Sequence, residues 1–176
     1  MAELAHARGA SPCAATMRPR AQPSLLELAI ENEVEGVVRE SFSALHALVS
    51  AETARARDVR SAMASIAVDE ASHAALASQI AGWLHSRLSE DDRQKVACAR
   101  RDAIAEIRRS IDEEPAGALV AELGVPTRSL SIRLLDALGD ALWSAQADQT
   151  VLEVSGQRRD VRECDRQPLL EALPTV

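Results

Sequence analysis

Ile66-Ala67-Val68-Asp69-Glu70-Ala71-Ser72-His73-Ala74 is the stretch on which the reading of this chain turns. It lies inside a run whose apolar positions step alternately by four and three: Val59, Met63, Ile66, then Ala77, Ile80 and Leu84. That spacing predicts an α-helix with one packing seam, of the kind found in bundles and coiled coils. Glu70 and His73 occupy two consecutive places in the same seam. A carboxylate and an imidazole three residues apart stand side by side on a helix, which makes Glu-x-x-His a ready chelate for a metal ion. Polar groups at such places need partners, because burying them alone is costly.

Working outward, the seam helix is predicted over about Val59 to Leu88, with Asp58 as its N-cap. Before it, a helix is expected from about Ser24 to Ala54, joined by a turn around Arg55 to Asp58. After it, Ser89-Glu90-Asp91-Asp92 resembles a capping box and opens a third helix, ending near Glu114-Pro115. A short helical piece over Ala116 to Leu123 stops at Gly124, a residue suited to a C-cap. Pro126-Thr127 leads into a fourth helix, about Arg128 to Ala147, striped by Leu134, Leu135, Leu138 and Leu142. The expected fold is therefore all-α, an antiparallel four-helix bundle over residues 24–149. Residues 1–23, with three prolines and no periodicity, read as a flexible leader, and 150–176 as a tail without clear pattern.

The short link between the first two helices makes them antiparallel, so heights can be compared by counting from Arg57. Glu40 lies 17 residues before it, while Glu70 and His73 lie 13 and 16 after it. At about 1.5 Å per residue, these side chains stand roughly 25, 20 and 24 Å along the bundle. Glu40 shares a face with Val37, Ala44 and Ala47, so two carboxylates and one imidazole are expected at one level. This oxygen and nitrogen set suits iron, manganese or zinc. Glu33 is placed about 10 Å too high, Glu35 is a reserve ligand, and Asp69 a candidate hydrogen-bond partner for the site. His46 and His85 fall off the stripes and read as surface residues.

Composition agrees with helices. Among 176 residues, alanine contributes 33, tyrosine none, phenylalanine one and tryptophan two, a mixture that favours close helix packing over sheet. The formal charge of −7 argues against general nucleic-acid binding, and the arginines at 100, 101, 108 and 109 read as a solvated face. Cys13, Cys98 and Cys164 form no chelating or disulfide pattern, which fits a reducing compartment. With no apolar run long enough for a membrane and no signal-like start, a cytoplasmic protein is expected.

Glu40, followed at helical distance by Glu70-x-x-His73, resembles the ferritin-like superfamily of carboxylate-bridged di-metal bundles. The segments Glu35-Gly36-Val37-Val38-Arg39-Glu40-Ser41-Phe42, Arg57-Asp58-Val59-Arg60 and Ile66 to Ala77 are similar to poorly characterised bacterial ferritin-like domain proteins. The resemblance covers about residues 31–146 and is specific in the first hairpin. It implies iron or manganese at Glu40, Glu70 and His73, and oxidoreductase chemistry toward ferrous iron or peroxide. The family's second Glu-x-x-His half is missing, since the fourth helix has no histidine. A mononuclear site, a site completed in a homodimer and a decayed site all stay open. So does a metal-free helical interaction or structural module. Without tyrosine, tyrosyl-radical chemistry is excluded.

Overall fold

The structure, a computed structural model, describes residues 2–7, 9–11, 13 and 21–143. The described part is helical, with no strand among those residues. Helix α1, Ala2–Ala7, falls in the stretch expected to be irregular. Its sequence Ala-Glu-Leu-Ala-His-Ala consists mostly of strong helix formers, so local propensity outweighs the prolines that follow. The predicted tail from 150 onward lies outside the described residues.

Helices α2 (Leu25–Glu31) and α3 (Glu40–Thr53) are joined without a break by a π-helical segment, Asn32–Arg39, giving one continuous rod over residues 25–53. Its start follows the sequence: Ser24 caps the backbone N–H of Glu27, and the Glu27 carboxylate accepts the N–H of Ser24 at 2.8 Å. The wide-pitched middle departs from the regular helix expected over Ser24 to Ala54. There, the Glu40 N–H donates to the carbonyl of Glu35, five residues back.

Helix α4 (Arg57–His85) turns back along this rod after Ala54, Arg55 and Ala56. Asp58 is not its N-cap. The cap position is Ala56, and the Asp58 carboxylate accepts instead from the adjacent Val59 N–H. The two rods approach very closely at one point. A Cβ on Gly36 would lie 2.5 Å from the Cβ of Ala77, and Asn32 Nδ2 donates to the Ala77 carbonyl at 3.0 Å. Glycine here serves contact between backbones rather than a turn.

Helix α5 (Glu90–Ser110) begins with Ser89, whose hydroxyl accepts the N–H of Asp92. It ends several residues before the expected stop at Pro115. Helix α6 (Gly117–Leu123) ends at Gly124 with φ 67°. Here the predicted C-cap is found, and its carbonyl accepts from Ser50 and Thr53 at the end of α3. Helix α7 (Arg128–Leu138), capped by Thr127, runs into a second π-helical segment, Gly139–Trp143.

The rod over 25–53 is the centre of the molecule. Helix α4 packs along it, while α5 and α7 pack against it and each other. The main core joins Val37 and Val38 of the rod to Ala77, Ala103, Ile107, Ile111, Leu135 and Leu138. A smaller cluster of Ala29, Leu84 and Leu88 closes the far end. No helix among the described residues is long and apolar enough to cross a membrane.

Candidate metal centre

Glu40 is the first residue of α3, directly after the π-helical turn, while Glu70 and His73 lie one turn apart near the middle of α4. The three side chains meet. One donor atom from each lies within 4.8 Å of the others. Donors bound about 2.1 Å from a common ion stand roughly 3–4 Å apart, so small side-chain rotations suffice to close the set. The two carboxylates are half-buried and His73 is exposed, so the cluster sits at the edge of the helix pair and opens to solvent through the imidazole.

This qualifies the expected seam. Its ends, Val59, Ala77 and Leu84, are buried, but in the middle the buried residues are Ala67 and Ala74. The contact face has drifted to their side, leaving His73 on the opposite rim.

Burial pushes the Glu40 carboxyl above the usual carboxylate range. The nearby charge of His73 opposes this, while Glu70 and Glu35 add to it. A cation among these groups would relieve the repulsion between the acids. Glu35, the reserve ligand, stays out of the cluster: it is exposed and pairs with Arg39 at 3.5 Å. Asp69 is exposed as well.

Acids that could have supplied a second ligand set are otherwise engaged. Glu106 accepts from Arg39 at 2.8 Å, and Asp136 is paired with Arg108. Glu33 is only 2% exposed and holds Arg100 at 2.5 Å. Arg100 is therefore not part of a solvated arginine face. Its partner sits on an apolar row with Val37, and an acid in that row is the signal that a buried counter-charge was required.

His46 also departs from its surface assignment. Its ring lies 4.2 Å from that of Phe42, Nε2 is buried with no hydrogen-bond partner, and burial lowers its pKa. His85 is exposed, as expected, and Cys13 and Cys98 are not joined in a disulfide; the Cys98 sulfur accepts from Arg101 at 3.1 Å.

Comparison with known proteins gives no match to a family model, to a curated protein or to a solved structure.

Proposed function

We propose that this chain is a ferritin-like four-helix protein, built from the rod over 25–53 with α4, α5 and α7, that binds iron or manganese through Glu40, Glu70 and His73. The observation that carries the reading is the approach of three donors from two helices to within 4.8 Å. Two carboxylates neutralise a dication, and the imidazole adds the nitrogen donor favoured by transition metals over calcium or magnesium. With Glu106 and Asp136 tied to arginines, the residues support one ion per chain rather than a pair. When bound, such an ion supplies redox or Lewis-acid chemistry at its open positions. On this reading the substrates are small: ferrous iron or peroxide reaching the ion past exposed His73.

The test is metal content of purified protein, followed by thermal unfolding during titration with Fe(II), Mn(II) or Zn(II). About one ion per chain is expected. At a free-ion concentration of 100 Kd, native stability should rise by about 2.7 kcal/mol. His73→Ala should lose both effects, while Glu106→Ala keeps them. Absence of metal together with an unchanged Tm sinks the proposal. The second reading, a metal-free interaction module, draws on the nearly uncharged outer face of α4.

A further inference from the structure

Helix α4 has a second stripe, distinct from the one that packs on the rod. Ser61, Ser65, Val68, Ser72, Leu76, Gln79 and Trp83 follow steps of four, three, four, four, three and four, and all seven are exposed. Val68, Leu76 and Trp83 retain 66%, 55% and 50% of their accessible surface. Large apolar residues aligned along one helix face mark an interaction surface rather than an ordinary exterior.

We propose that this face is the seam of a homodimer in which α4 packs antiparallel against α4 of a second copy. Charge selects that occupant. Each chain carries a formal charge of −7, so a surface meeting its own copy has to avoid like charges. Between Ser61 and Leu84 the only acids are Asp69 and Glu70, with no lysine or arginine. Glu70 is half-buried in the cluster with Glu40, at the edge of the helix pair.

The spacing selects the symmetry. The steps read identically in both directions from Ser72, as a two-fold axis through that residue requires. Ser72 then meets the partner's Ser72, Val68 meets the partner's Leu76, Ser65 the partner's Gln79, and Ser61 the partner's Trp83. Small faces large in the outer pairs, and apolar faces apolar beside the centre, so the surfaces interdigitate. Asp69 falls opposite the partner's Ala75 rather than another acid; like charges meet only at the two ends, where Arg57 comes near the partner's Arg87, and Arg87 lies over the Trp83 ring at 4.0 Å.

At about 1.5 Å per residue the stripe is about 33 Å long on a helix roughly 10 Å across. Burying it in both copies removes on the order of 1,000 Å² from water, the lower edge of a specific interface. The dimer should therefore be reversible and concentration-dependent.

Sedimentation equilibrium from low micromolar to sub-millimolar concentration tests this. The mean mass should climb from 18.9 kDa toward twice that value. Ser72→Glu, which opposes two carboxylates at the axis, should weaken association at least about tenfold without altering helix content. In a Cys13→Ser, Cys98→Ser, Cys164→Ser background, Ser72→Cys should cross-link to its own copy on oxidation. Gln79→Cys should do so only when mixed with Ser65→Cys. A constant single-chain mass, a mass unaffected by Ser72→Glu, or a dimer that fails these cross-links overturns the proposal.

Discussion

Helices α4 and α5 flank the same rod but have opposite chemistry. Eleven of the 21 residues of α5 are charged, from Glu90 to Arg109. Across the 24 residues from Ser61 to Leu84, α4 has only Asp69 and Glu70. Helix α5 is held by apolar contacts through Ala103 and Ile107, and by side chains that reach across to other helices: Arg100 to Glu33, Arg108 to Asp136 and Glu106 to Arg39. Helix α4 is held by closeness, with alanines at 67, 74 and 77 against the rod and a glycine opposite one of them. Outward charge solubilises α5. On α4, Glu70 and His73 join Glu40 of the rod in the candidate metal centre, and the exposed side stays almost neutral. One helix is specified by charge pairing, the other by shape.

The largest test of that contrast removes the buried charge partner supplied by α5. Arg100→Ala leaves the Glu33 carboxyl enclosed without its partner, and should lower the unfolding free energy by about 3–5 kcal/mol. The pair Glu33→Leu with Arg100→Met should recover most of it in denaturant titrations. Equal damage from the single and double changes would mean that the ion pair does not hold α5.

The shape side is probed by Gly36→Ala. The new methyl collides with Ala77, and overpacking of this kind costs about 1–3 kcal/mol, against a gain of up to about 1 kcal/mol in helix propensity. A net loss that Ala77→Gly relieves in the double variant would confirm that closeness seats α4. A neutral or stabilising result would show the helices free to part.

The smallest effect belongs to the rod itself. Burial lowers the His46 pKa, so the folded state takes up a proton less readily than the unfolded one. Stability is full above the unfolded value near 6.5 and falls as the pH drops through that value toward the lower folded pKa. The loss should be under about 1 kcal/mol, given the partial exposure of His46. Unfolding midpoints measured from pH 7 to pH 5 should slope downward, and His46→Leu should flatten them. A slope that survives the substitution would assign it to other groups.

Much of this was legible in the residues. Ser24, Ser89, Thr127 and Gly124 announce helix boundaries because capping is local chemistry. The level meeting of Glu40, Glu70 and His73 could be counted, since helical rise is constant and the linking turn is short. Long-range partnership was not legible. Glu33 and Arg100 are 67 residues apart, and no local rule connects them. Asp58 resembles a cap, but the chain enters α4 two residues earlier than that cap requires, at Arg57 with Ala56 at the cap position. His46 lies off the apolar stripe yet is partly covered, because the rod contacts neighbours on more than one side. The neutral stripe of α4 is hidden for a related reason: serine and glutamine carry no apolar signal, and Val68, Leu76 and Trp83 mark that face only by their exposure.

The π-helical turn over Asn32–Arg39 ties ligand geometry to chain length. A regular helix advances about 100° per residue, so shortening this turn by one residue would rotate everything beyond it by roughly that angle. Glu40 would swing away from His73 although neither had been replaced. A lineage could thus lose or restore the meeting of acid and imidazole through a single-codon deletion or insertion, a length polymorphism invisible to any inventory of ligand residues.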